Sequence, residues 1–153
     1  MEWKQLTPEE AAQQKYYGLG GWLLFFYVLA VIAFVGSFAN LMNHEAMKLV
    51  YGDSYVVMLA FGVLGALLIL PFIIMAPQKN PLMPRGTIWA YSLQLVLLAI
   101  SAFVAGPAIV LPQLIAGVIY VLLFCWFLKR SKRVNVTYLH RVRAEAADAP
   151  AEA

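Results

Sequence analysis

The stretch GWLLFFYVLAVIAFVGSFANLM, residues 21–42, decides the fold class of this chain because it contains no charged residue. Its length matches the roughly 20 predominantly apolar residues that a helix needs to cross a bilayer. Three similar stretches follow at residues 55–76, 87–104 and 107–128. Backbone polar groups inside lipid must pair within their own segment, so each stretch is expected to be helical. The sequence therefore predicts an all-α polytopic membrane protein, with four transmembrane helices in an antiparallel bundle.

The composition supports a membrane protein and argues against a soluble one. The 153 residues are 63% hydrophobic and 12% charged, and the mean hydropathy is +0.76. A soluble domain of this size could not bury so much apolar surface, and the helices of a soluble bundle would need polar faces. The formal net charge of +3 does not indicate nucleic-acid binding, because the basic residues are distributed by side of the membrane.

The distribution of basic residues predicts the orientation. Of the 11 Lys and Arg residues, Lys48 alone lies between the first two helices. The other ten lie before the first helix, between the second and third, or after the fourth, which is the other side of the membrane. Lys and Arg are retained in the cytoplasm, so both termini are expected inside. Trp22, Trp89 and Trp126 would then all lie at the cytoplasmic interface, where Trp is enriched.

The chain accordingly divides into three parts. Residues 1–19 form a cytoplasmic N-terminal arm, residues 20–130 the transmembrane domain, and residues 131–153 a cytoplasmic tail that is basic and then, at 144–153, disordered. In the arm, Thr7 and Glu10 form a capping-box pattern around Pro8, which predicts a short helix over 8–17.

Small and polar residues inside the helices indicate how they pack. Gly62 and Ala66 are four residues apart and allow close backbone approach, either within this chain or in a homodimer. Gln94 and Gln113 are expected to hydrogen-bond to neighbouring helices, or to line a substrate path. Pro71 removes a backbone donor and predicts a kink.

The connections between the helices give further expectations. The Pro-rich loop at 77–86 should be rigid and non-helical, whereas the turn at 105–107 is so short that the third and fourth helices must form a hairpin. The segment between the first two helices is expected to be a polar loop.

The sequence offers no catalytic residue, metal site or cofactor motif. His44 and Glu45 begin like a zinc-protease box, but Lys48 stands where the second His is required. The single cysteine, Cys125, cannot form an intrachain disulfide. We therefore expect no catalytic residues, no cofactor and no metal.

Two short boxes flank the transmembrane domain: GLGGWL at residues 18–23 and SKRVNVTY at residues 131–138. Their order and spacing resemble a family of small four-helix bacterial inner-membrane proteins of unknown function, with a GGWL entry and an SKRV-x-x-T-aromatic exit. The resemblance implies a bacterial inner (plasma) membrane and no established activity. Because both boxes fall on one side, Gly20, Gly21 and Trp22 are expected to pack near residues 131–138.

The glycine-rich entry and the basic exit are candidate contact sites. Gly18, Gly20 and Gly21 can act as a flexible connector, or expose backbone to a partner or lipid headgroup. The basic cluster after the last helix should attract anionic lipid at about 1 kcal/mol per charge. Its members are Lys129, Arg130, Lys132 and Arg133.

Three functions remain open from the sequence. The leading hypothesis is a non-enzymatic protein that binds or supports a partner, which could be a second copy, in the membrane. A small transporter or transporter subunit is the first alternative, although it would lack an intramembrane carboxylate for proton coupling. A lipid-modifying enzyme using His44, Glu45 and Asp53 at the outer face is the second.

Overall fold

The computed structural model describes residues 3–143, and four of its helical segments are long and apolar enough to cross a membrane. The prediction of an all-α chain with four helices able to cross a membrane is thereby confirmed at the level of helix number and type. These segments are Trp22–Met42, His44–Met75, Met83–Ala105 and Pro107–Arg130. The predicted disorder of residues 144–153 lies outside the described residues.

Ten helices and strands, and one 3-10 turn at Gly52–Ser54, make up the described chain. In order they are β1 (Trp3–Gln5), α1 (Pro8–Ala12), α2 (Trp22–Met42), α3 (His44–Tyr51), α4 (Tyr55–Leu67), α5 (Leu70–Met75), α6 (Met83–Ala105), α7 (Pro107–Arg130), α8 (Lys132–Leu139) and β2 (Arg141–Arg143).

Helix α1 begins where the capping box predicts. The Thr7 hydroxyl accepts from the Glu10 N–H at 3.2 Å, and the Glu10 carboxylate accepts from the Thr7 N–H at 2.8 Å. The predicted continuation to Tyr17 is wrong, because the helix ends at Ala12 and gives way to turns. Residues 13–16 are exposed, and so short a helix does not extend without packing to support it.

The second span has three helical pieces. The expected polar loop between the first two spans is instead mostly helical: the Asn43 side chain caps α3 by accepting from the Ala46 N–H at 3.3 Å. Farther along, the helix breaks between α4 and α5, just before Pro71. Proline has no N–H for the carbonyl four residues earlier; the sequence predicted a kink at Pro71, and the structure has a break in the helix just before it.

Helix α6 begins earlier than the proline-rich sequence suggests. Residues 83–86 were expected to remain loop, but they form its first turn, with Pro84 buried in it. Proline is compatible with this position because the N–H groups of a first turn have no helical partner. At the other end, Gly106 alone connects α6 to α7, with φ +92°, so the tight turn is as predicted.

The two ends of the described chain meet in a small sheet. Strands β1 and β2 pair antiparallel, with Trp3 opposite Arg143 and Gln5 opposite Arg141. Neither strand was predicted, since three-residue strands leave almost no pattern in a sequence. The pairing gathers the N-terminal arm, α8 and the end of α7 at one end of the bundle, here called the basic end.

A buried aromatic cluster also lies toward the basic end. The ring of Phe124, which is fully buried, lies 5.0 Å from Phe26, 5.2 Å from Phe72 and 5.4 Å from Tyr91 between centroids. Helices α2, α5, α6 and α7 therefore converge on one aromatic cluster. Toward α3 the helices enclose a cavity instead.

Candidate functional site

The two boxes meet at the basic end. Thr137 Oγ1 accepts from the Gly18 N–H at 2.9 Å, and Arg133 Nη1 lies 3.5 Å from the Gly18 carbonyl. A Cβ built on Gly20 would lie 2.9 Å from Arg133 Nη1. The segments 18–21 and 131–138 are thus in direct contact, as the sequence led us to expect. We call β1, α1, residues 13–21, α8 and β2 the terminal clamp.

Asn135 is the polar centre of the terminal clamp. It is fully buried, and its amide donates to the carbonyls of Lys129 at 3.2 Å and Ser131 at 2.8 Å. Its carbonyl accepts from Arg141 Nε at 2.7 Å. Both the N–H donors and the carbonyl acceptor of this buried amide have partners, so Asn135, in the middle of the box at residues 131–138, has a structural role.

Tyr138 fastens the clamp to the loop between α5 and α6. Its hydroxyl donates to the Ala76 carbonyl at 2.9 Å, and the side chain is 1% exposed. Burial raises the pKa of the Tyr138 phenol above its ordinary value, because the charged form would lose its hydration. The neutral phenol is therefore the form that holds this contact at physiological pH.

The residues predicted to meet lipid headgroups or a partner fall into two groups. Lys129, Arg130 and Lys132 are exposed at the basic end, with Arg130 5.8 Å from the centre of the Trp126 ring. Arg133 is half-buried against Gly18. The four cations are therefore not equivalent.

Trp22 has different surroundings from the two glycines. Gly20 and Gly21 face Arg133, whereas Trp22 is 70% exposed and stacks edge-on with Phe25 of its own helix. Trp89 and Trp126 are likewise largely exposed. Exposed indoles of this kind suit the bilayer surface.

The predicted packing residues of α4 face other parts of the chain. A Cβ on Gly62 would lie 2.5 Å from Leu41 Cδ2 of α2, and Ala66 is 2% exposed. The small side chains thus leave room for α2 beside α4.

A cavity of about 920 Å³ separates the helices away from the basic end. It lies between α2, α4, α6 and α7, and residues of α3 cover it at the end remote from the clamp. None of its lining residues is charged. The polar side chains among them are Ser37, Asn40, Asn43, Tyr51, Tyr91, Gln94, Ser101, Gln113 and Tyr120.

Gln94 and Gln113 do not play the role that the sequence predicted. Within residues 3–143 neither amide makes a hydrogen bond to another helix, and both line the cavity. The Gln94 amide nitrogen lies 3.9 Å from the position of a Cβ on Gly65. Helices α6 and α7 touch nearby, where a Cβ on Gly117 would lie 3.3 Å from Leu95 Cδ2, but neither amide meets a polar partner across that contact. Ser37 and Ser101, by contrast, bond carbonyls of their own helices at 2.7 Å.

Tyr91 and Tyr120 of the lining were missed at the sequence level, although a signal existed. Tyr91, Gln94 and Ser101 of α6 are separated by three and seven residues, and Gln113 and Tyr120 of α7 by seven. Such spacings place side chains on one face of a helix. A search for polar residues at helical spacing within the apolar stretches would have found this face.

The residues of the enzyme hypothesis do not form a cluster. The Tyr55 hydroxyl and His44 Nδ1 lie 2.7 Å apart, and Lys48 Nζ lies 5.5 Å from the centre of the Tyr55 ring. Glu45 and Asp53 are exposed. No group of three or more His, Cys, Asp or Glu able to hold a metal occurs in the part of the chain that the structure describes.

Comparison with known proteins returns no relative. No family model matches the chain, and no curated protein and no solved structure matches it significantly.

Proposed function

We propose that this chain is a non-enzymatic, multi-pass protein of the bacterial inner membrane that binds a partner molecule inside the bilayer. One observation carries the proposal: Gln94 and Gln113, whose amides have no hydrogen-bond partner within residues 3–143, line an uncharged cavity among the four candidate membrane spans. An amide without a hydrogen-bond partner in an apolar medium costs roughly 1–3 kcal/mol by protein data. A molecule that bonds these groups recovers that energy, so the arrangement favours occupancy.

The proposed orientation places both termini in the cytoplasm, with the spans alternating in direction. Two features support it: the clamp joins residues 3–5 to residues 141–143 at one end of the bundle, and Lys79 of the loop after α5 lies 4.4 Å from the Tyr17 ring of the arm. Lys48 lies on α3, away from this end. The bacterial inner membrane and anionic lipid at the basic end follow from the resemblance of the two boxes and from these charges.

A small transporter is the second candidate, and the depth of the cavity favours it. Gln94 lies 11 residues from the end of α6 at Ala105, which is about 16 Å at 1.5 Å per residue. Polar groups thus reach the middle of a bilayer about 30 Å thick. Solute uptake by proteoliposomes that is absent from empty liposomes would favour this candidate over simple binding.

The binding proposal is tested by filling the cavity. Ala33 lines it on α2, whereas Val35 of the same helix is exposed and outside it. The protein is purified in mild detergent, and its bound small molecules are counted by native mass spectrometry. We expect Ala33→Trp to lose a bound species that Val35→Trp retains. Identical bound species in both variants and the wild type would contradict the proposal.

A further inference from the structure

We infer that the cavity binds a neutral amphiphile drawn from the bilayer, with an uncharged hydrogen-bonding head and an apolar chain. The inference deepens the proposed function and rests on it, because it names the chemical class of the molecule that occupies the site. Three observations lead to it: the charge of the lining, the position of the cavity in the bundle, and its size.

The lining selects against a charged ligand. It contains amides, hydroxyls and apolar side chains, and no Lys, Arg, His, Asp or Glu. A phosphate or ammonium group drawn to the middle of the bilayer would find no opposite charge, and a buried unpaired charge is costly. A neutral head meets no such penalty.

The amides define what the head must offer. Gln94 and Gln113 each carry two N–H donors and a carbonyl acceptor. Within residues 3–143 none of these groups has a protein partner. A head oxygen can accept from the amide N–H groups, and a hydroxyl can also donate to a carbonyl. The shared requirement is an oxygen that accepts.

The cavity has the position and depth of one leaflet. On α7 its lining runs from Val110 to Val121 and on α6 from Tyr91 to Ser101, which is about 15 Å along each helix. A leaflet contributes about half of the 30 Å hydrocarbon core. In the proposed orientation this is the outer leaflet, since α3 covers the end remote from the basic clamp.

The opening faces lipid between α2 and α7. Lining residues on both flanks are exposed, including Ile32 on α2 and Gln113 and Tyr120 on α7. The two helices meet at the basic end, where Phe26 lies 4.9 Å from Phe127 between ring centres. From there a wedge opens toward α3, through which a lipid can enter sideways without leaving the bilayer.

The size argues against a helix of a partner protein as the occupant. A membrane-spanning helix needs about 30 Å of length, whereas the cavity lining extends only about 15 Å along α6 and α7. Ala46, Met47 and Val50 of α3 also cover the cavity at its end. A pocket of 300–1,000 Å³ is typical for small molecules.

The test titrates three probes onto the full-length protein in mild detergent, followed by native mass spectrometry. Dioleoylglycerol has a neutral head that donates and accepts, a menaquinone has a neutral head that only accepts, and dioleoylphosphatidylglycerol is anionic. We expect at least one neutral probe to bind at one site per chain. Ala33→Trp should abolish that binding, whereas Val35→Trp should leave it unchanged.

The amide variants test the head contact itself. Gln94→Leu and Gln113→Leu remove the polar groups with little change in shape, and Gln113 is exposed, so its variant should fold normally. Each should weaken neutral binding about fivefold, as expected for one membrane hydrogen bond of about 1 kcal/mol. If both neutral probes lose affinity equally, the amides bind an oxygen that accepts a hydrogen bond. If dioleoylglycerol loses more affinity than the menaquinone, its hydroxyl also donates to an amide carbonyl.

Three outcomes would overturn the inference. If Ala33→Trp removes the anionic probe and spares the neutral ones, the cavity binds a ligand but its class is wrong, and the proposed function survives. If no probe and no co-purified molecule responds to Ala33→Trp, the proposed function fails as well. If the wild-type protein is a dimer without bound neutral lipid, and Ala33→Trp makes it a monomer, then a second copy of the chain occupies the cavity.

Discussion

At the residue scale, the terminal clamp depends on one buried amide. Asn135 satisfies two backbone carbonyls and orients Arg141, and leaving buried polar groups without partners costs about 1–3 kcal/mol each. We predict that Asn135→Leu lowers the midpoint of thermal unfolding in detergent, with the clamp destabilised by about 2–3 kcal/mol.

The matched control for this prediction is Asn40→Leu, since Asn40 is exposed and its side chain makes no hydrogen bond among the described residues. That variant should unfold at or above the wild-type midpoint. Equal midpoints for Asn135→Leu and the wild type would show that the clamp does not contribute to stability.

At the element scale, α2 and α4 approach each other through a glycine. A side chain at Gly62 would overlap Leu41, whereas a Cβ on Gly36 of α2 would meet nothing within 4 Å. Overpacking a close contact costs typically 1–3 kcal/mol. We predict that Gly62→Leu lowers the thermal midpoint in detergent and that Gly36→Leu does not. If the Gly62→Leu and Gly36→Leu proteins unfold at the same temperature, the close approach of α2 and α4 at Gly62 does not contribute to stability.

At the scale of the whole molecule, the orientation proposal has a direct test. In a Cys125→Ser background, single cysteines are placed at Glu45 on α3 and at Lys79 in the loop after α5, both of which are exposed. We expect a membrane-impermeant maleimide to label position 45 in intact spheroplasts, and position 79 only after the membrane is opened. The reverse labelling pattern would invert the topology.

The exposed cations at the basic end lead to a second prediction at this scale. Replacing Lys129, Arg130 and Lys132 by Gln removes three charges worth about 1 kcal/mol each near an anionic leaflet. We predict fewer bound phosphatidylglycerol molecules in native mass spectrometry, or a mixed orientation, with helical circular dichroism preserved. In the wild type, added salt should reduce the binding in the same way.

Arg133 needs a separate variant because its side chain also makes a contact inside the clamp. Arg133→Gln loses the contact with the Gly18 carbonyl, so this single change should lower the thermal midpoint more than the triple variant, which loses only the exposed contact of Lys132 with the Tyr16 ring at 5.8 Å. If the triple variant lowers the midpoint and Arg133→Gln leaves it unchanged, this division of roles is wrong.

The sequence by itself determined the elements whose physics is local. Long uncharged stretches can exist in lipid only as helices, so α2, α6 and α7 follow from residues 21–42, 87–104 and 107–128. The capping box at Thr7, the break at Pro71 and the turn at Gly106 are equally local, since each depends on backbone chemistry within a few residues.

Tertiary structure alone decided the clamp and the cavity. Asn135 gains its structural role because Arg141 and the end of α7 converge on it, and β1 exists because the two ends of the described chain meet. Gln94 and Gln113 were expected to pair across helices, but hydrogen bonding depends on separations that no local pattern encodes. The cavity is the space left among α2, α4, α6 and α7, so it is a property of their mutual packing.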